Sequence, residues 1–194
     1  MLDVKGGDEA SFSELLQRYR TPVVNFLQRM VRDRATAEDL AQEVFLRIYR
    51  ARKKYVPSAK FTTWLFRIAT NLALNSLRDG RYHHLEVSLD APADENTAPL
   101  DLPSKGRAAD ERLMDQDRSA FIRRAIEKLP EKQRAAVMMH KFQEMDYSEI
   151  SEALGCSESA LKSLLFRAYE TLRVELAPLV GVPAESGMGK GAEI

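Results

Sequence analysis

The chain is poor in the features that stabilise secreted proteins or equip enzymes. Its 194 residues include one cysteine, Cys156, so no internal disulfide is open to it and a reducing compartment suits it. No stretch approaches the roughly 20 consecutive apolar residues that span a bilayer, so membrane insertion is not expected. Met1 to Asp8 is acidic and lacks an apolar core, so no signal peptide is expected and a cytoplasmic location is. Histidines are few: His83, His84 and His140. His140 and Glu144 have i, i+4 spacing, but no third ligand accompanies them, so no metal site is expected. Cys156 has no histidine neighbour to activate it and is expected to pack in a turn. No glycine-rich phosphate loop is present. With no catalytic constellation and no cofactor signature, an enzyme is not expected.

Net charge is absent too, since 29 Lys and Arg balance 29 Asp and Glu. The balance conceals a segregation. Residues 1–78 hold 14 basic and 8 acidic side chains, and residues 79–117 hold 4 and 10. Residues 118–178 hold 10 and 9, and residues 179–194 hold 1 and 2. A basic block is followed by an acidic connector and a near-neutral block. The basic block suits a polyanionic partner.

Helical periodicity fills both blocks, and no period-two run is long enough for a strand, so the fold class is all-α. Phe12, Leu15, Leu16 and Tyr19 recur at helical spacing, and Pro22 suits the first turn of a second helix carrying Val23, Val24, Phe26, Leu27, Met30 and Val31. Thr36, with Asp39 three positions on, reads as the cap of a third helix whose apolar face is Ala37, Leu40, Val44, Phe45 and Ile48. A turn between Arg50 and Lys60 leads to a fourth helix from Phe61 to about Arg78. Residues 79–117 contain Pro92, Pro99, Pro103, Gly80 and Gly106 among acidic residues, the composition of a flexible linker. Helical pattern resumes near Glu111 and stops before Pro130; Glu131–Phe142, Tyr147–Leu154 and Ser157 to about Leu176 follow as helices. Gly181 to Ile194 is Gly-rich and expected to fray.

Three segments carry functional signals. In the first, a short amphipathic helix ends at Leu154, Gly155 permits the positive φ of a tight turn, and Ser157 caps the next helix. This is the pattern of a helix-turn-helix, whose second helix enters the DNA major groove. Ile150, Ala153, Leu154, Leu161 and Leu165 would join the two helices, leaving Ser157, Glu158, Ser159, Lys162 and Ser163 outward, with Arg167 and Arg173 placed to meet phosphate. An ordinary helical hairpin has the same pattern. In the second, Arg47, Arg50, Arg52, Lys53, Lys54 and Lys60 precede Phe61 and Trp64 with no acidic residue among these charges, as in single-strand binders. Asn71 and Asn75 lie one turn apart, within reach of base edges. A buried aromatic core beneath a solvated basic face also explains this segment. In the third, Asp39, Gln42 and Glu43 share one helical face, as either a protein-docking surface or a solvated one.

The order AEDLAQEVFLRIYRA (37–51), FTTWLFRIATNLALNSLRD (61–79), a variable linker, then LPEKQRAAVMMHKFQEMDYSEISEALGCSESALKSLLFRAYETLR (129–173) resembles the sigma-70 superfamily, specifically its small extracytoplasmic-function (ECF) group. The resemblance implies an alternative sigma factor with bacterial core RNA polymerase and promoter DNA as partners, an anti-sigma factor as a further partner, and a monomer when free. It implies four segments: region two at 8–78, a linker at 79–117, region four at 118–178 and a disordered tail at 179–194. By the same resemblance, Asp39, Gln42 and Glu43 dock on the polymerase. Arg52, Lys53, Lys60, Phe61, Trp64, Arg67, Asn71 and Asn75 serve the minus-ten element. Ser157, Glu158, Ser159, Lys162, Ser163 and Arg167 serve the minus-thirty-five element, and the helix before them touches the polymerase flap.

The chain departs from the family where many members carry further arginines. Lys162-Ser163 is followed by Leu164, and Arg167-Ala168 by Tyr169. Fewer guanidinium groups mean fewer charge-assisted contacts to phosphate or guanine. A helix-turn-helix repressor with a helical sensor explains residues 146–176 equally well, but neither the basic aromatic turn nor the acidic face of the first block.

Overall fold

A computed structural model of the chain describes the backbone of residues 1–87 and 109–180, with side chains described for 1–80 and 117–179. Its helices are α1 (Leu2–Lys5), α2 (Glu9–Val31), α3 (Arg34–Ala51), α4 (Phe61–Val87), α5 (Ala109–Glu127), α6 (Glu131–Phe142), α7 (Tyr147–Leu154) and α8 (Glu158–Val180), with a 3-10 turn at Arg52–Lys54. The described residues are all-α. Of the expected linker, residues 88–108 lie outside the described residues, as does the tail from 181 onward.

Four helix boundaries differ from the sequence expectation. Pro22 does not start a helix but sits inside α2. The backbone bond it cannot donate is outweighed by the apolar stripe on both sides of it, with Phe12, Leu16 and Tyr19 packed against the core and Val23, Phe26, Leu27 and Met30 buried in it. The cap of α3 is Asp33 rather than Thr36: Asp33 Oδ2 accepts from the Thr36 amide at 2.6 Å, so the helix starts one turn earlier than the apolar pattern suggests. The chain turns there because Arg32 takes the left-handed conformation, φ 67°, and closes on Gln28 O. Beyond Arg78, α4 continues through Gly80 to Val87. One glycine costs a helix about 1 kcal/mol, too little to end it, and the next proline is Pro92. The last helix continues past Leu176 to Val180 with Pro178 inside it.

Helices α2, α3 and α4 pack together as the first half, and α5 to α8 as the second. Phe26 meets Phe66 edge-on at 5.2 Å in the first half, while Leu129, Met138, Met139, Ile150, Leu161 and Leu165 are buried in the second. Each fully buried side chain of this size contributes roughly 2 kcal/mol. The buried residues of both halves belong to one continuous cluster, because α7 lies along α4 and α2 packs on α5 and α6.

Polar contacts follow the same seam. Arg134 of α6 is 4% exposed; its guanidinium donates to Met30 O at the end of α2 and to Glu127 O and Leu129 O at the end of α5, at 2.7, 3.0 and 3.0 Å. Burial and the neighbouring Arg32 pull its pKa down to about 10, so it remains charged at neutral pH. Arg32 also donates to Glu127 O, and the Arg29 guanidinium lies 4.3 Å over the Phe142 ring.

His140 ties three helices of the second half. Its Nδ1 lies 2.6 Å from the Tyr169 hydroxyl, and its ring meets Tyr147 edge-on at 5.3 Å. Burial, followed by the nearby Lys141, lowers its pKa, and burial raises that of Tyr169, so a neutral imidazole and a neutral phenol share this hydrogen bond. A folded-state pKa below the unfolded value of about 6.5 contributes stability above that pH, which is lost as the pH falls through the window below it. The melting temperature is therefore expected to drop between pH 7 and 5.5, with H140Q flattening that slope in thermal melts monitored by circular dichroism; an unchanged slope refutes the assignment.

Candidate nucleic-acid interface

The face of α3 opposite the core is set by its burial pattern. Ala37, Ala41, Val44, Phe45 and Ile48 point inward, which leaves Asp39 and Gln42 exposed and Glu43 half-exposed, paired with Arg47 at 2.7 Å. Leu46, 41% exposed, continues this face into a groove of about 540 Å³ between α2 and α3, lined by Phe12, Leu16, Val24, Phe45 and Tyr49. Sequence reasoning missed Leu46. Its signal was an apolar residue off the inward stripe.

The basic turn after α3 is held from several sides. Lys5 Nζ donates to Tyr55 O at 2.9 Å, so the short α1, anchored by buried Val4, braces the segment leading to α4. Arg52 is drawn back: its guanidinium lies 3.8 Å over the Tyr49 ring and donates to Tyr49 O at 2.7 Å, whereas Lys53 is exposed. At the start of α4 the aromatic residues make a cluster, Tyr55 to Trp64 at 5.1 Å, Phe61 to Trp64 at 6.2 Å and Tyr19 to Phe61 at 5.3 Å. Phe61 and Trp64 are half-buried, and Phe66 belongs to the core. Arg67, Asn71 and Asn75, each four residues from the next, are all exposed along one face of α4.

The helix-turn-helix forms as the residues require. Asp146 and Glu149 make a reciprocal capping box at the start of α7, and Gly155, at φ 62°, closes it. The Ser157 hydroxyl accepts from the Ala160 amide at 3.2 Å and lies 3.0 Å from the Ser159 hydroxyl, while Ser163 donates to Ser159 O. Ile150, Ala153, Leu161 and Leu165 are buried and Leu154 half-buried against them; Cys156, a free thiol, packs in the turn. Ser157, Glu158, Ser159, Lys162, Ser163 and Arg167 are all exposed. Among the described residues neither Lys162 nor Arg167 has an ion-pair partner, whereas Arg173 pairs with Glu170 at 3.1 Å.

Lys162, Ser163, Phe166 and Arg167 line one shallow cleft, in which Phe166 is 68% exposed. Sequence reasoning missed Phe166, although it is out of register with the inward stripe Leu161, Leu165, Ala168 and Leu172. The two departures from the family pattern are taken into packing: Leu164 and Tyr169 are half-buried against the core, Tyr169 through His140. The α3 face and the α8 face stand apart, since α3 packs on α2 and α4 while α8 packs on α5, α6 and α7. The start of α4 is instead brought against α7, where Lys60 pairs with Glu149 at 2.9 Å.

Comparison with known proteins decides the family. The family model described as Sigma-70 region 2 matches residues 15–82, and that described as Sigma-70, region 4 matches residues 122–172. The RNA polymerase sigma-H factor of Pseudomonas aeruginosa is 33% identical over 91% of this chain and 92% of its own length. The ECF RNA polymerase sigma factor SigW of Bacillus subtilis is 30% identical over 91% of this chain and 94% of its own. This chain is an ECF sigma factor of the sigma-70 family. Two solved structures share its fold at 19% identity. CnrH in complex with the cytosolic domain of CnrY has a TM-score of 0.64 and covers 91% of this chain and 94% of its own. The sigma factor RpoE in complex with the anti-sigma factor NepR from Bartonella quintana has a TM-score of 0.68, covering 86% and 96%. No helix among the described residues of this sigma factor is long and apolar enough to cross a membrane.

A Cβ added at Gly155 meets nothing within 4 Å, so substitution there costs backbone strain alone. G155A is expected to destabilise the sigma factor by about 1 kcal/mol, measured by urea unfolding. A wild-type midpoint would show that the turn relaxes away from the left-handed conformation.

Proposed function

We propose that this sigma factor uses its three outward surfaces in the order in which an initiating polymerase needs them. Residues 8–78 serve as the unit for polymerase and the minus-ten element, 118–178 as the unit for the minus-thirty-five element, with 79–117 joining them and 179–194 trailing. Asp39, Gln42 and Glu43 dock on core polymerase, and Leu46 with its groove adds the apolar contact that a charged face alone lacks. The fitting of apolar and acidic elements on one α3 face is the observation that carries this docking assignment.

Region four then lays the start of α8 in the major groove. Ser157, Ser159 and Ser163 offer hydrogen bonds, Lys162 and Arg167 meet phosphate or guanine, and Glu158 accepts from cytosine. Phe166 supplies an apolar contact suited to a thymine methyl group. As the duplex opens, Lys53, Lys60 and Arg67 attract the backbone of the released strand, Phe61 and Trp64 offer faces for an unstacked base, and Asn71 and Asn75 reach its edge. Arg52 joins them on leaving the Tyr49 ring. The sigma factor contributes no bond-making group in this scheme; polymerase supplies the chemistry, and the site of action is the cytoplasm. Both structural relatives are complexes, one of them explicitly with an anti-sigma factor, which supports an anti-sigma partner for this chain as well.

Run-off transcription with bacterial core polymerase on genomic fragments, including the chain's own upstream region, tests the scheme. Discrete new transcripts are expected. Fragment binding by the chain alone without transcripts points instead to a repressor. D39A/E43A is expected to weaken holoenzyme formation by roughly tenfold with the fold intact, and native affinity in a polymerase pull-down titration would remove the docking assignment. K162A is expected to make the log–log salt dependence of promoter-duplex binding shallower by about 1. An unaltered slope places Lys162 away from phosphate.

A further inference from the structure

The match to region 2 begins at residue 15, and α1 lies before it. Four residues are too few for a helix to sustain itself, so α1 exists by its contacts. Val4 is 1% exposed, and the helix packs on both α2 and the 3-10 turn Arg52–Lys54. Gly7, at φ 98°, then turns the chain into α2, which Asp8 caps by accepting from the Ala10 amide at 2.9 Å. Lys5 is thereby set beside the loop that enters α4, where its Nζ donates to Tyr55 O at 2.9 Å. Tyr55 leaves the 3-10 turn in an extended conformation, so its carbonyl belongs to no helix. Val56, Pro57 and Ser58 after it are exposed. The Tyr55 ring is buried and lies 5.1 Å from Trp64, which in turn meets Phe61 edge-on at 6.2 Å. Tyr19 of α2 holds the Phe61 end of this aromatic cluster. Lys5 holds the Tyr55 end.

We propose that Lys5 is a positioning residue for base capture: by fixing the Tyr55 carbonyl it sets where the Trp64 ring stands for the opened strand. The inference rests on the assignment of Phe61 and Trp64 to that strand. Lysine suits the role chemically. Its ammonium has three donors and no acceptor, so one hydrogen serves the carbonyl while the others stay in water. It is also a fourth cation at a turn that already carries Arg52, Lys53 and Lys54, and the carbonyl contact offsets their repulsion. A base stacks only on a ring whose plane is already in place, and a loop that must be ordered on binding subtracts from the affinity. Setting the ring beforehand therefore adds affinity for the base and none for the phosphates.

Three full-chain variants test this in holoenzyme with bacterial core polymerase. K5M keeps the stem and removes the donor, K5R keeps a donor, and V4A loosens α1 while leaving the Lys5 charge in place. The probe is a fluorescein-labelled non-template strand of the promoter that run-off transcription identifies, read by fluorescence anisotropy. A second set of strands carries an abasic site at each minus-ten position in turn. Wild type is expected to lose affinity at the position whose base is captured. K5M and V4A are expected to bind the intact strand about tenfold more weakly than wild type, within the range that one stacked base supplies. On the strand lacking the captured base they are expected to match wild type, and K5R is expected to match it on every strand. Equal loss by K5M on intact and abasic strands, with V4A at wild type, would make Lys5 a phosphate contact and overturn the proposal. Wild-type binding of the intact strand by K5M would overturn it as well, and so would a K5R as weak as K5M. If wild type itself is indifferent to every abasic position, no base is captured, and it is the assignment of Phe61 and Trp64 that fails.

Discussion

A single guanidinium, buried where helix ends meet, is the constraint on which the arrangement depends. Arg134 satisfies carbonyls at the C-terminal ends of α2 and α5, groups that have no partner within their own helices. A charge this deep is tolerated because those carbonyls, themselves the negative ends of helix dipoles, replace the water it has lost. It thereby fixes the end of α2 against α6, and with it the line along which α7 meets α4. Arg32 in its left-handed conformation turns the chain out of the way at the same point.

Packing then decides which side chains are left for partners. Each helix turns its apolar stripe to one continuous core, so the polar residues between stripe positions become faces: Asp39 and Gln42 on α3, Arg67, Asn71 and Asn75 on α4, Lys162 and Arg167 on α8. Leu46 and Phe166 are the informative exceptions, large apolar groups that the core does not take. Isolated exposed apolar residues are ordinary on a protein surface. These two each sit within a polar face and border a groove, which is where an anchor for a partner would lie.

Much of this was legible beforehand. The helices Glu131–Phe142 and Tyr147–Leu154 were readable to the residue because Pro130, Asp146 and Gly155 punctuate them chemically. The sigma-70 order of motifs was readable because it depends on residue types at fixed spacing. Two of the misplaced boundaries show why: the signal at Pro22 omits the buried stripe that carries α2 through it, and the cap signal at Thr36 yields to Asp33, three residues earlier, which accepts from the Thr36 amide. That Arg52, assigned by the resemblance to the minus-ten element, lies over the Tyr49 ring and donates to Tyr49 O is set by the backbone of the 3-10 turn and has no signal in the spacing.

What the sequence by itself determined is the set of elements and faces: the periods of the apolar residues, the caps, the family, and the side chains each helix turns outward. These are nearest-neighbour properties, carried by residues within one or two turns of one another. What only the tertiary structure decided is which faces meet. The Lys60–Glu149 and Arg134–Met30 contacts join residues far apart in the chain, and no spacing rule ties them. They exist because two amphipathic halves can bury more apolar surface together than either can alone, and because the charged groups along that seam find partners of opposite sign or open carbonyls when they do.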